Sequence, residues 1–358
     1  MRLKLILILC FLQMQSNFLD AQGINNNNNV CQCSEIGLDN KWAEEEKIIC
    51  YKIPVPGNAS NQKETFLMAV AIAKSTRNTN SSLLYLHGGP GISTLSNLPK
   101  YLKSDTWKKL REQENLVFFD YRGTGFSEPE LENFSDSVRR FSMKNADPIA
   151  QHQFRISLIQ DYRNKLLAEG INLNDFSSLH NANDAEAIRR ALNLTEWNVY
   201  GVSHGTTVAL QLLKHHEPTV RSMILDSPFP PNAPWVDFIR PFNEAFIVLE
   251  KRIENDPDYK TEFKDLRKSF AHAVNRLNIS PAKINISPAD SNSTYPFTGF
   301  DFAWGIWQAM LNPKYITLVP LLIREIEQGN DQLLFPFTSL FNNPDQFGTF
   351  SPLQSLSV

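Results

Sequence analysis

The sequence predicts an α/β fold, a mostly parallel sheet with helices on both faces followed by an inserted, mostly helical region, and three observations predict it. Short apolar runs at 66–73, 82–86, 116–119, 197–201 and 221–226 read as strands bounded by turn-forming residues. Segments 181–192 and 206–216 read as helices between the later strands; the first starts at Asn181 and carries Ala182, Ala185, Ile188, Ala191 and Leu192 at helical spacing. From Ser227 the rhythm changes. Pro228, Pro230, Pro231 and Pro234 interrupt it, and helical segments follow at 238–253, 261–277, 300–310 and 316–327 with no strong strand between them. Strands that are apolar throughout belong to a sheet covered on both sides, which is why alternation with helices implies parallel pairing. The expected organisation is a leader at 1–21, a core at 22–231 and a helical cap at 232–358.

The 358 residues, 42% of them hydrophobic, are enough to bury a large core. Lys and Arg number 35 against 38 Asp and Glu, a formal charge of −3, so no global basic field recruits nucleic acid or acidic membranes. The start, Met1-Arg2-Leu3-Lys4, leads into an apolar run at 5–12 that is too brief to span a bilayer, and Ala21 supplies a cleavage point. This reads as a signal peptide, so export to a secreted or periplasmic location without stable membrane insertion is expected. Removing it leaves Cys31, Cys33 and Cys50. One pair is expected, Cys33 with Cys50, since Cys31 and Cys33 are too close to bridge comfortably, although connectivity does not follow from spacing. No second Cys or His pair at ligand spacing follows Cys31-Gln32-Cys33, so no metal is expected.

Three motifs carry chemistry. Gly201-Val202-Ser203-His204-Gly205 lies between an expected strand and an expected helix. Its glycines permit a sharp turn that lifts the serine hydroxyl above the sheet edge and points the following N–H groups at the same place, so Ser203 is the candidate nucleophile. His87-Gly88-Gly89-Pro90-Gly91 follows the strand at 82–86. A glycine-rich loop there offers a backbone donor with no side chain in the way, and Gly89 N–H with His204 N–H are the candidate oxyanion donors. Asp120-Tyr121-Arg122-Gly123-Thr124-Gly125 lacks both phosphate-loop patterns and reads as a turn fixed by an Asp and Arg network.

In this order and spacing the three motifs resemble the proline iminopeptidase and tripeptidyl aminopeptidase branch of the α/β-hydrolase superfamily. The resemblance runs from about Cys33 to the C-terminus, taking in Asn255-Asp256-Pro257-Asp258 and Phe297-Thr298-Gly299-Phe300-Asp301-Phe302. It implies a serine peptidase that releases N-terminal residues or short peptides from substrates with a free amino terminus, with no cofactor. An exopeptidase must neutralise an ammonium group at a fixed distance from its serine, and Asp237 and Glu244 on the first cap helix are candidate carboxylates. An esterase on the same core, or an inactive binding protein, remains the alternative.

The departure is the triad. Such hydrolases place acid and base on loops after later strands, yet the histidines after Ser203 are His204, His215, His216 and His272, none of them following a strand. The expectation is that the chain stops before the return from cap to core, with on the order of 50 residues of strand and helix absent. The chain alone is then expected to be inactive, with 221–226 left as an open sheet edge.

Overall fold

The computed structural model describes residues 29–57, 65–77, 79–131, 134–145, 147–230, 232, 239–285, 294–334 and 336–337; the leader at 1–21 and Asp237 lie outside them. In chain order come β1 (Val30–Cys31), α1 (Asn40–Glu45), β2 (Ile48–Pro56), β3 (Thr65–Ala73), β4 (Ser82–Leu86), α2 (Thr94–Lys103), α3 (Asp105–Gln113) and β5 (Asn115–Phe119). Then follow α4 (Ser135–Lys144), α5 (Pro148–Ala168), α6 (Ser178–Ala191), β6 (Trp197–Val202), α7 (His204–His216) and β7 (Val220–Asp226). The remainder is α8 (Ile239–Glu254), α9 (Tyr259–Glu262), α10 (Leu266–Ile279), β8 (Ala282–Asn285), β9 (Thr294–Phe297), α11 (Gly299–Met310) and α12 (Val319–Glu327). Two compact units result: one falls within Met1–Leu131 and Asn172–Pro231, the other within Glu132–Ile171 and Asn232–Pro352.

The first unit is built on a sheet of order β1-β2-β3-β5-β4-β6-β7. Strands β1 to β3 form an antiparallel meander that pairs antiparallel with β5, whereas β5, β4, β6 and β7 run parallel. Successive side chains on a strand face opposite ways, and here both ways lead into a core. Met68, Val70, Leu84, Leu86, Val117 and Phe119 pack on Ala182, Ala185, Ile188, Val208 and Leu212 of α6 and α7. Ala69, Ala71, Leu83, Tyr85, Leu116 and Phe118 pack on Leu95, Leu98 and Leu102 of α2 and on Trp107 of α3. Burying each large side chain contributes about 1.5–3 kcal/mol, which accounts for the unbroken apolar runs in these strands. Cys33 is bonded to Cys50, while Cys31, a free thiol, stands opposite Cys50 across the β1–β2 ladder.

The second unit has its own core, in which Phe246, Ala273, Leu277, Phe302, Ile306, Ile323 and Phe337 meet. Three of its features differ from the expectations. The helix expected at 261–277 is two helices, because Asp265 adopts a left-handed conformation (φ 57°) between α9 and α10. The cap is not free of strands: β8 and β9 pair antiparallel, four residues each, a length too short to show an alternation in sequence. Finally, α4 and α5 join this unit although they lie within 22–231, the range expected as core; the rings of Phe141 and Phe154 stack 4.1 Å apart between them. Among the described residues no helix is long and apolar enough to cross a membrane.

Candidate active site

Parallel pairing brings the three motifs to one end of the sheet. Leu86 is in register with Gly201, Tyr85 with Phe118 and Val202 with Asp226, so the loops leaving β4, β5 and β6 emerge side by side at the carboxyl ends of the strands. Ser203 caps α7 with φ 51° and ψ −119°, a conformation rare for a residue with a side chain. Its N–H donates to the Asp226 carbonyl at 2.9 Å, and its own carbonyl accepts from Thr206 N–H at 2.9 Å and from Thr206 Oγ1 at 2.6 Å. The flanking glycines are sterically required: a β-carbon on Gly201 would lie 2.7 Å from the Gly205 carbonyl oxygen, and one on Gly205 would lie 2.0 Å from that of Leu86. The start of α7 is thereby pressed against the end of β4.

The same close approach sets the glycine loop beside the serine. A β-carbon on Gly88 would stand 3.0 Å from the Ser203 β-carbon and 3.0 Å from the Val202 carbonyl oxygen. Gly89 follows with φ 56°. His204 is the first residue of α7, and its N–H is among the four that a helix leaves without an internal acceptor. Gly88 is thus the loop position against Ser203, with Gly89 next along the loop and His204 next along the chain. The His204 ring is buried, neither of its nitrogens has a partner among the described residues, and burial pushes its pKa down to about 4. It is neutral at neutral pH and packs edge-on to Tyr121, ring centres 6.1 Å apart. The imidazole of His87 braces its own loop, with Nδ1 at the Gly88 carbonyl and its ring edge-on to Tyr85.

The loop after β5 is a buried polar network. Arg122 donates to Asp184 at 2.8 and 2.5 Å and to the carbonyls of Pro56, Gly57 and Asp175. Asp120, fully buried, accepts from Ser93 Oγ, Leu95 N–H and Phe126 N–H, and burial raises its pKa to about 6. Neither the pairing of Arg122 with Asp184, 62 residues on, nor the partners of Asp120 carries a local signal in sequence.

The remaining histidines of this unit are His180, His215 and His216. His216 meets Asn183, His215 is exposed, and His180 meets Ser177 Oγ at 2.8 Å. Ser177, His180 and Asp175 have the composition of a triad but form a helix cap: Ser177 Oγ also accepts from His180 N–H, and Asp175 Oδ1 stands 3.6 Å from His180 Nε2, beyond hydrogen-bond range. The Asp226 carboxylate accepts from Tyr200 and Ser227. In the second unit, His272 pairs with Glu327 and Glu244 forms an exposed ion pair with Arg240 at 3.4 Å. No group of three or more His, Cys, Asp or Glu is placed to hold a metal ion among the described residues.

Residues 82–274, which contain all three loops, match the alpha/beta hydrolase fold family. The chain belongs to the α/β-hydrolase family. Relatives of the chain include the tripeptidyl aminopeptidase of Streptomyces lividans, 30% identical over 152 residues, 41% of this chain and 28% of that protein. Serine protease Hip1 of Mycobacterium tuberculosis is 26% identical over 52% of this chain and 36% of its own, and proline iminopeptidase of Arabidopsis thaliana is 22% identical over 59% and 41%. The matches thus span well under half the length of these relatives.

Proposed function

We propose that the protein is an exported serine hydrolase of the peptidase type, releasing N-terminal residues or short peptides from substrates with a free amino terminus, with Ser203 as nucleophile. The observation that carries this reading is the backbone of Ser203, held at φ 51° with Gly88 against its β-carbon. Such strain persists only where the surroundings impose it, and it concentrates at sites of chemistry. The peptidase side is supported by the three relatives named above, and export by the basic, briefly apolar start of the sequence.

In this reading Ser203 Oγ adds to the scissile carbonyl as its proton passes to a base, and the oxyanion formed lies against the N–H groups of Gly89 and His204. Collapse breaks the C–N bond, the departing amine takes the proton, and water then frees the acyl group from Ser203. The base is an imidazole that none of the engaged histidines beside the elbow supplies. Asp237 and Glu244 are the carboxylates proposed to hold the substrate ammonium.

The test is a fluorophosphonate probe on protein expressed from the complete gene, followed by turnover of a proline arylamide, its N-acetylated counterpart and a short-chain ester. The expected result is labelling that disappears in Ser203→Ala and fastest turnover of the free-amine arylamide. Labelling that persists in Ser203→Ala removes the nucleophile assignment. Preferential ester turnover makes the protein an esterase, and equal rates on free and acetylated substrates remove the exopeptidase reading.

A further inference from the structure

An oxyanion hole works only if its donors are fixed before the charge develops. Among the described residues, the one side-chain brace within the loop at 87–93 is His87 Nδ1 at the Gly88 carbonyl; Gly88 has no side chain, and Gly89 and Gly91 have φ of 56° and 92°. Glycine has more freedom to lose than any other residue, so the loop needs anchors outside itself. Two consecutive residues after β5 supply them. Tyr121 Oη donates to the His87 carbonyl at 3.2 Å, at the entry to the loop, and its ring lies against His204. Asp120 holds the exit: Ser93 Oγ lies 3.1 and 3.0 Å from its two oxygens, and Leu95 N–H donates to Oδ1 at 3.0 Å. Neighbours along an extended chain face opposite ways, which is how adjacent residues reach the two ends of one loop. Asp120 is itself pinned by Phe126 N–H at 3.0 Å, and both side chains are buried.

We infer that Asp120 and Tyr121 are positioning residues for the oxyanion hole, a clamp that holds both ends of the 87–93 loop against the Ser203 elbow. Neither touches the reacting atoms. Tyr121 acts on both donors together, through the His87 carbonyl for the Gly89 side and through its ring for the His204 side. Asp120 keeps the loop from opening toward α2. The inference rests on the reading of Ser203 as nucleophile.

Tyr121→Phe is the sharpest test, because it deletes the hydroxyl and keeps the ring against His204. Fluorophosphonate inactivation is measured as kinact and KI separately, on protein from the complete gene, with Ser203→Ala as the blank. The expected result for Tyr121→Phe is a kinact lower by about tenfold, within the range that a misplaced group costs, with KI unchanged. The melting temperature should stay within about 2 °C of the parent. Asp120→Asn, which keeps the shape but loses the charge, should lower kinact in the same way; if it fails to fold, Tyr121→Phe decides alone. A parent-like kinact in Tyr121→Phe overturns the clamp and leaves Ser203 in place as nucleophile. A fall in labelling that follows only a fall in melting temperature also overturns it, showing the hydroxyl to be merely structural. Labelling that is the same in parent and Ser203→Ala overturns the nucleophile and the clamp together.

Discussion

The unit that holds Ser203 and the unit built from α4, α5 and α8 to α12 are specified by different means. Around Ser203 the contacts are backbone against backbone and charge against buried charge. Gly205 leaves no room for a β-carbon beside the Leu86 carbonyl, and Arg122 with Asp184 forms an ion pair whose side chains are 2% and 1% exposed. The second unit relies on apolar volume, Phe246, Phe302, Ile323 and Phe337 among it, while Arg267 with Glu250 and Arg240 with Glu244 are ion pairs at its surface. It has one backbone pinch of the same kind, a β-carbon on Gly299 lying 2.0 Å from the Val274 carbonyl oxygen, whereas Gly305 is set against a side chain, the Phe337 ring. Backbone contacts and buried charges tolerate almost no change, whereas apolar volume and solvated charges tolerate a good deal. The comparison can be broken by substitutions matched between the units.

The largest difference is expected between two glycines. Gly205→Ala forces a β-carbon to 2.0 Å from a carbonyl oxygen, so α7 and β4 must separate; the expected cost exceeds about 4 kcal/mol, with loss of Ser203 labelling. Gly329→Ala, at φ 89° with nothing within 4 Å, pays only for the left-handed backbone, about 1–2 kcal/mol. Urea unfolding of both variants measures this, and equal costs would end the comparison.

Next in size are the ion pairs. Burial pushes the Asp184 carboxyl above its ordinary value despite the Arg122 guanidinium, so desolvation outweighs the pairing. Such a pair adds little net stability, but half of it cannot be removed. Arg122→Met is expected to cost about 3–5 kcal/mol by leaving Asp184 unpaired. Arg267→Met, whose pair with Glu250 is exposed, is expected to cost about 0–1 kcal/mol.

The third prediction concerns pH and involves two buried groups that pull in opposite directions. Asp120 rises from 3.8 to about 6, so between these values the folded state binds the extra proton and the stability this group contributes falls as pH rises. His204 drops from 6.5 to about 4, so between those values the unfolded state binds the extra proton and stability rises with pH. Each amounts to about 3 kcal/mol, and over pH 4 to 6 they largely cancel. Asp120 faces Ser93, Leu95, Phe126 and, as the other titratable group, Tyr101; His204 faces Tyr121. His204→Gln should expose the Asp120 slope, so the variant loses stability relative to the parent as pH rises from 4 to 6. Parallel pH profiles would show that His204 titrates normally, and a variant whose stability does not fall from pH 4 to 6 would show the same of Asp120.

The same contrast explains what was legible in the sequence. Strands β3 to β6 and the elbow could be read because burial writes apolar runs and because steric exclusion writes glycine; β7, at the sheet edge, is half-buried to exposed and carries Arg221 and Ser222 in its run. Helix α5 could not: over 21 residues its apolar side chains fall all round it, leaving no stripe. Its place with the later helices is a long-range packing fact with no local cause. The break at Asp265 and the hairpin of β8 and β9, whose second strand contains Pro296, also run against local propensity. At the candidate site, the sharp turn at Ser203 and the glycine loop beside it were legible through motif and turn geometry. Asp184, and the reach of Asp120 and Tyr121 to the two ends of one loop, were not, since those partnerships join residues 25 to 62 positions apart.

The smallest expected effect separates stability from function in the second unit. Glu244 is a candidate carboxylate for a substrate ammonium, and its side chain is 62% exposed beside Arg240. A solvated i,i+4 pair contributes at most about 0.5 kcal/mol, so Glu244→Gln should leave the melting curve where it is. If Glu244 does meet the substrate, the substitution removes a charge-assisted contact to the ammonium and KM for a free-amine arylamide rises, while KM for the N-acetylated analogue stays put. Arg240→Gln is the control, because it breaks the same ion pair without touching the carboxylate. A KM unchanged in Glu244→Gln, or raised equally for both substrates, would make Glu244 another solvated surface acid and leave the ammonium to Asp237 or to neither.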